Sequence, residues 1–149
     1  MSRVPNVTDD PGFAERLRAA RCLFFDCDGV VYDANGFKLE ALREVLAEAP
    51  ADARAAMERY WKAQGGVSRY VKLEHFYRVI LGAPDWRARA ADAARRFAER
   101  SRAAYRRHAP VPAALAFVDA VAAPCVVVSG TDQAELREVF AEAGLTPRF

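Results

Sequence analysis

Residues 22–29 read Cys-Leu-Phe-Phe-Asp-Cys-Asp-Gly, and this stretch decides the fold. Its first half, Cys22 to Phe25, is a short and wholly apolar run, which is typical of a strand buried on both faces of a parallel sheet. Its second half is an acidic turn that carries Asp26 and Asp28. Because ligands of open α/β sheets bind beyond the carboxyl ends of the strands, the stretch predicts a site at these two carboxylates.

The spacing of Asp26 and Asp28 suits covalent hydrolytic chemistry. One carboxylate can attack an electrophile and form a covalent intermediate. The other can protonate a leaving group and then activate water. Two neighbouring carboxylates also offer the hard oxygen ligands that Mg²⁺ prefers. The alternative is an aspartate-rich turn that only caps the strand, and the apolar run directly before it makes that alternative weaker.

A second apolar run, residues 125–128, ends in Ser129, Gly130 and Thr131 and leads into a helix. A hydroxyl, a small residue and the free N–H groups of a helix start can together cradle an anion. The alternative is a plain strand-to-helix turn in which Thr131 or Ser129 caps the helix. Taken alone, the second run favours that alternative.

The two apolar runs are separated by about a hundred residues, whereas a simple crossover between parallel strands needs only a few tens. The intervening sequence has helical periodicity, and we predict that it forms an inserted helical module. Gly65-Gly66 is expected to break it, and Asp85 is expected to cap its longest helix. The predicted helices cover 52–64, a stripe of Leu73, Phe76, Tyr77 and Ile80, and 85–107.

Together, FFDCDGVVYDANGFKLEAL and CVVVSGTDQAELREVF resemble the haloacid-dehalogenase-like (HAD) superfamily, in particular its phosphoglycolate-phosphatase-like branch with a helical cap. The resemblance implies an α/β fold: a HAD-like Rossmannoid core, here partial with its first two parallel strands, and an inserted α-helical cap. It divides the chain into 1–34 as the first part of the core, 35–110 as the cap, and 111–149 as the second part of the core.

The resemblance also implies roles for individual residues. Asp26 would be the catalytic nucleophile that becomes phosphorylated, and Asp28 the catalytic acid/base. Ser129 and Gly130 would bind the transferring phosphoryl group. Asp26 and Asp28 would hold the cofactor Mg²⁺. The expected activity is that of a phosphohydrolase (phosphatase) acting on a small phosphorylated metabolite.

Four further residues are candidates for contacting the substrate. Arg69 and Lys72 follow the Gly65-Gly66 break, and cap loops of the family reach over the active site. Their alternative is a surface loop with solvated charges. Asn35 and Lys38 lie where the chain enters the cap, and they could face the mouth of the site or serve only as hinge and helix-start residues.

The sequence departs from the family pattern after Ser129. The family places a lysine or arginine and an acidic pair downstream, but no lysine follows Ser129, and Asp132, Glu135, Glu138 and Glu142 belong to one helix region. Arg137 comes too early for the family's position, and Arg148 is one residue from the end. We therefore expect a chain that is truncated before the third strand and that, as it stands, is poorly soluble or inactive. A catalytically inactive remnant or binding fragment is the alternative function. A dehalogenase would not need Asp28, and a phosphonate hydrolase would need a cap lysine, which here is Lys38, Lys62 or Lys72.

The amino-acid composition limits the remaining classes of function and the location of the protein. The 149 residues are 52% hydrophobic and 28% charged with a net charge of +2, which indicates a globular chain with no overall preference for polyanions. The arginines of 85–107 share their helix with acidic residues and indicate a solvated face rather than a nucleic-acid site. The sequence shows no signal peptide at its start, no membrane segment and three cysteines without a metal-binding spacing. A cytoplasmic location is expected, and the oligomeric state stays open.

Overall fold

The computed structural model describes residues 10–149. The proline-containing start, for which no signal peptide was predicted, lies mostly outside these residues. The described chain contains seven α-helices and two strands, joined in places by short turns. Their bounds are α1 Phe13–Ala19, β1 Leu23–Asp26, α2 Asn35–Val45, α3 Ala51–Ala63, α4 Arg69–His75 continued by a π-helical turn Phe76–Ile80, α5 Trp86–Tyr105, α6 Pro112–Ala120, β2 Cys125–Val128, α7 Gln133–Glu142 and a 3₁₀ turn Thr146–Arg148.

The two strands pair in parallel and form one sheet. Leu23 is opposite Cys125, and Asp26 is opposite Val128, so both strands end at the same edge. The acidic turn after β1 and the Ser-Gly-Thr turn after β2 therefore lie side by side. This arrangement confirms the predicted fold class, a partial HAD-like core of two parallel strands with an inserted block of helices.

The prediction that both strands are buried on both faces is wrong. Phe24 is 71% exposed, and Val126 and Val128 are 41% and 56% exposed. The opposite face is covered, and there Phe25 packs edge-on against Phe117 and Phe149. A short apolar run predicts a strand, but it does not predict whether other elements cover both faces of that strand.

The helices between the strands pack around a core of their own, as their periodicity predicted. Its most deeply buried members include Leu42, Met57, Leu73 and Phe76, each at most 1% exposed. Gly65 and Gly66 fall between α3 and α4, where a break was predicted. Asp85 stands at the N-cap of α5 as expected, but its side chain makes no capping hydrogen bond.

A second buried cluster ties the strand end to both ends of the helical block. Cys27 and Tyr32 come from the turn after β1, Phe37 from α2, Tyr105 from the last position of α5 and Phe140 from α7. The first and last helices of the inserted block thus pack directly on the core. The domain limits 34/35 and 110/111 stay a prediction, since residues on both sides of them share this cluster.

The arginines of α5 are mostly engaged in ion pairs. Arg95 binds Asp92 at 2.6 Å and Glu99 at 2.8 Å on the same helix. Arg102 and Arg106 reach Glu138 and Glu142 of α7, respectively. These pairs join cap and core at their surface. Within residues 10–149, none of the helices combines the length and apolar character that a membrane crossing requires.

Candidate active site

The turn after β1 places the two carboxylates. Val31 and Tyr32 both donate a backbone N–H to the carbonyl of Cys27, and Gly29 donates to the carbonyl of Tyr32. This tight reversal presents Asp26 and Asp28 to one cavity. Gly29 makes the turn possible because its φ is +88°, in the left-handed region that side chains disfavour.

We expect Gly29→Ala to destabilise the fold by about 1–2 kcal/mol because an alanine would be held at positive φ. An added Cβ would also come within 3.1 Å of the Asn35 amide nitrogen. Urea denaturation measures the loss. Gly65→Ala is the matched control, because Gly65 has no positive φ and no neighbour within 4 Å of an added Cβ. Equal stabilities of the two variants would contradict the assigned role of Gly29.

Both oxygens of the Asp28 carboxylate accept hydrogen bonds. The ammonium of Lys38, from α2, donates to Oδ2 at 2.5 Å, and the hydroxyl of Tyr105, from the end of α5, donates to Oδ1 at 2.5 Å. Lys38 also donates, at 3.0 Å, to the hydroxyl of Thr131, a residue in the turn after β2. One carboxylate is thereby held from both ends of the helical block, and a single lysine bridges the two strand ends.

Burial keeps the two titratable groups next to Asp28, the Tyr105 hydroxyl and the Cys27 thiol, in their protonated forms. It raises the pKa of the Tyr105 hydroxyl well above its ordinary value, so this phenol remains a donor. It likewise raises the pKa of the Cys27 thiol to about 12, with Asp28 as the next cause. Cys27 is fully buried and stays protonated, which supports a packing role rather than a redox one.

The turn after β2 is organised by its own side chains. The Ser129 hydroxyl accepts a hydrogen bond from the backbone N–H of Thr131 at 3.1 Å. The residue that caps α7 is Asp132, whose carboxylate accepts from the N–H of Ala134 at 3.0 Å. The prediction that Thr131 or Ser129 is the N-cap residue of α7 is therefore wrong, because the N-cap is Asp132, one residue after Thr131.

A cavity of about 620 Å³ opens between the strand ends and the helical block. Gly130 and Thr131 line it from the core, together with Asp26 and Asp28, and Ser129 is not among the lining residues. The predicted cap contributes all four cationic lining residues, which are Arg69 and the three lysines of the sequence, Lys38, Lys62 and Lys72. It also contributes the neutral Asn35. The cavity thus suits an anionic ligand.

The loop between α3 and α4 approaches the second motif closely. A Cβ on Gly130 would come within 3.3 Å of the carbonyl oxygen of Gly66, so the two backbones are in near contact at this point. The cap loop therefore closes one side of the cavity directly above the end of β2.

Arg69 and Lys72, the two cap cations predicted from sequence, have different surroundings. Arg69 forms an ion pair with Glu135 of α7 at 2.7 Å, and both side chains are more than nine-tenths buried. Lys72 is 5% exposed, and its ammonium lies 4.4 Å from the centre of the Trp61 ring and 3.4 Å from the Trp61 carbonyl oxygen. Burial lowers the pKa of Lys72, with the charge of Lys38 as the next cause.

The donors present fit a weakly held Mg²⁺ ion. Asp26 lines the cavity, and its carboxylate accepts no hydrogen bond within the described part of the chain. Mg²⁺ commonly keeps several waters and binds through one or two carboxylates plus substrate phosphate. Residues 10–149 contain no group of three or more His, Cys, Asp or Glu side chains arranged to hold a metal. Asp26 and the neighbouring Asp28 are thus the residues that would contact the ion.

Three residues of the site were not predicted from the sequence. Tyr105 reaches Asp28 across 77 sequence positions, and it reads locally as the last residue of an ordinary helix. Thr131 was treated as a cap and not as a partner of a lysine. Glu135 was grouped with the helix acids, and its burial beside Arg69 follows only from the packing of α7 against the cap. None of the three carries a local sequence signal.

The geometry defines a class of protein: a capped α/β fold with paired aspartates at a strand end and a cationic cavity above them. A family model described as haloacid dehalogenase-like hydrolase matches residues 20–149. The chain belongs to the haloacid dehalogenase-like hydrolases.

One solved structure supports the fold, and a second gives a weaker similarity. The putative HAD-hydrolase YfnB from Bacillus subtilis, bound to magnesium, is similar with a TM-score of 0.59 and 17% identity over 87% of this chain and 62% of that one. L-2-haloacid dehalogenase from Xanthobacter autotrophicus gives a TM-score of 0.44 and 17% identity over 87% of this chain and 54% of that one. The chain thus spans less than two thirds of the length of either protein. No curated protein matched significantly.

Proposed function

We propose that the protein is a Mg²⁺-dependent phosphohydrolase that acts on a small phosphorylated metabolite through a phosphorylated Asp26. The observation that carries the proposal is the contrast between the two carboxylates. Asp26 has no side-chain hydrogen bond or ion pair among residues 10–149 and lines a cationic cavity, whereas Asp28 beside it is held on both oxygens by Lys38 and Tyr105. One group is free to attack, and the other is oriented to transfer a proton.

The reaction follows from these two roles. An oxygen of Asp26 attacks the phosphorus, and the bond from phosphorus to the ester oxygen breaks. For this step Asp28 carries a proton in the substrate complex, after Lys38 has turned from Oδ2 to the phosphoryl group, and it gives that proton to the leaving oxygen, which departs as the alcohol. A water molecule then gives a proton to Asp28 while its oxygen attacks the phosphorus. The bond between the phosphorus and the Asp26 oxygen breaks, inorganic phosphate leaves, and Asp26 and Asp28 return to the states they had when the substrate bound. Positioning and charge stabilisation supply most of the catalysis in such transfers.

Bound near Asp26, Mg²⁺ would neutralise charge on the phosphoryl oxygens. The chain itself supplies Lys38, whose ammonium spans Asp28 and Thr131 at the edge where both strands end. A cation there faces the phosphoryl group once substrate fills the cavity. Gly130 lines the cavity and has no side chain, so the phosphoryl group can approach its backbone closely. Ser129 remains a proposed ligand of the phosphoryl group. Lys72, with Asn35, is a proposed contact for the rest of the substrate, whereas Arg69 is engaged with Glu135.

We expect Lys38→Met to lower kcat by about 10²–10³-fold, the usual loss when one preorganised charge at a reacting oxygen is removed. Lys38→Arg should restore part of the rate because it keeps the charge. Steady-state kinetics with a small phosphomonoester measure both. Arg43→Met is the control, because Arg43 lies on the same helix and pairs with Glu58 on the surface. An unchanged kcat in Lys38→Met would exclude a role for this ammonium in the reaction.

Phosphate release from a panel of small phosphorylated metabolites tests the proposal as a whole. The missing downstream groups predicted an inactive chain, but Lys38 supplies a cation at the strand ends, so we expect turnover by this chain with Mg²⁺ and none after chelation. Halide release from a small 2-haloacid is the comparison reaction. Halide release without phosphate release would establish a dehalogenase instead. Absence of both from a folded chain would favour the inactive remnant.

A further inference from the structure

The Tyr105 side chain is tightly packed beside the aspartates. It is 2% exposed, and its ring packs edge-on between Tyr32 and Phe37, with both ring centres 4.9 Å away. Such aromatic contacts prefer one geometry and resist rotation of the ring. The hydroxyl is therefore delivered to a fixed place, and that place is 2.5 Å from Asp28 Oδ1.

Alternative partners for this hydroxyl are poor. The Cys27 sulfur lies 3.9 Å away and is a weak acceptor. The Tyr105 O–H therefore has one strong acceptor in the described chain, the Asp28 carboxylate. A hydrogen bond to a carboxylate is among the stronger kinds in proteins.

Lys38 and Tyr105 hold Asp28 in different ways. The lysine has a long flexible stem and a second partner, Thr131, and the proposed function requires its charge at the phosphoryl group during the reaction. Tyr105 has a packed ring and no competing task. Its hydrogen bond is the contact that can persist while Lys38 turns towards substrate.

We propose that Tyr105 is a positioning residue for the acid/base: it fixes Asp28 through Oδ1 so that Oδ2 faces the leaving group and then the attacking water. The inference rests on the proposed function. Tyr105 is also the last residue of α5, whose Phe97 both lines the cavity and belongs to the cap core. The orientation of Asp28 is thereby linked to the placement of the cap above the site.

Tyr105→Phe tests this role, since phenylalanine keeps the ring and removes only the hydroxyl. We expect kcat to fall about 10- to 100-fold with KM little changed, because a misaligned acid/base slows the chemical steps and not binding. Single-turnover measurements should show that phosphorylated Asp26 persists longer than in the unmodified chain, because the second step also depends on Asp28. A purely structural role for Tyr105 would lower the melting temperature without prolonging that intermediate.

Tyr32→Phe is the matched control. Tyr32 is 1% exposed in the same aromatic cluster, and its hydroxyl makes no hydrogen bond within residues 10–149. It should leave kcat and the lifetime of the intermediate unchanged. If both variants lose activity equally, or if Tyr105→Phe loses none, the positioning role is overturned.

A measurement without turnover separates this inference from the proposed function. The hydroxyl proton of Tyr105, shielded from solvent and bonded to a carboxylate, is expected to give a slowly exchanging downfield NMR signal in the resting chain. The signal should vanish in Tyr105→Phe and shift or broaden in Asp28→Ala. If no phosphate is released but the signal behaves in this way, the proposed function fails while the Tyr105–Asp28 contact stands. A signal indifferent to Asp28→Ala overturns the contact itself.

Discussion

Asp26→Asn is expected to lower phosphate release by at least about 10³-fold, because removal of a covalent nucleophile leaves only binding and charge stabilisation. The loss should appear in kcat, since the variant keeps the cavity and its cations. Initial rates with a saturating phosphomonoester and Mg²⁺ give the comparison. Of all the single changes in this chain, this one should affect activity most.

The same substitution should leave the fold intact. Asp26 is exposed at the end of β1 and accepts no hydrogen bond in the described part of the chain, so no contact is lost. We expect a melting temperature equal to that of the unmodified chain, and this separates a chemical defect from unfolding. Phosphate release at more than a tenth of the unmodified rate by a folded Asp26→Asn chain would rule out the aspartyl-phosphate mechanism.

The largest effect on stability is expected for Glu135→Gln. The substitution leaves the buried guanidinium of Arg69 without its counter-charge, and breaking a buried ion pair from one side costs about 3–5 kcal/mol. Among residues 10–149, the Arg69 Nε and Glu135 Oε1 atoms already lack hydrogen-bond partners, and the Tyr70 hydroxyl that accepts from Arg69 at 3.3 Å is neutral and does not replace the lost charge. Denaturant unfolding of the variant and the unmodified chain measures the difference.

Two further variants show whether the pair itself carries this cost. Glu138→Gln removes an acid from the same helix, but its bond to Arg102 is at the surface, where such pairs contribute about 0–1 kcal/mol. Replacing both partners, as Arg69→Met with Glu135→Leu, should restore most of the stability because no buried charge remains. A Glu135→Gln chain as stable as Glu138→Gln would mean that water reaches Arg69 and that the pair does not fasten the cap.

The sequence predicted the parts of the site that depend on neighbouring residues. An apolar run followed at once by Asp26 and Asp28 implies a strand end, and the parallel pairing of β1 with β2 confirms that the second motif shares this edge. The Gly65-Gly66 break was predicted in the same way. These features depend on local backbone chemistry, which one stretch of sequence contains in full.

The features that the sequence did not predict depend on what packs against an element. Nothing in Leu-Phe-Phe indicates that Phe24 lies on an uncovered face while Phe25 is covered. Arg69 and Lys72 are three residues apart, and the sequence offered no reason to assign them different roles. Only Arg69 forms an ion pair, because α7 places Glu135 beside it. Tyr105 contacts Asp28 because the 20-residue helix α5 ends beside the turn after β1, and this position depends on the length of α5 and on its packing angle.

The central claim is that Asp26 becomes phosphorylated, and detection of that intermediate tests it most directly. The chain is mixed with a small phosphorylated donor and Mg²⁺, quenched in acid and mapped by peptide mass spectrometry. The account predicts one added phosphoryl group on the peptide that contains Asp26, dependent on Mg²⁺, absent in Asp26→Asn and longer-lived in Tyr105→Phe. Phosphate release with no adduct at Asp26 in either chain, or an adduct that persists in Asp26→Asn, would contradict it.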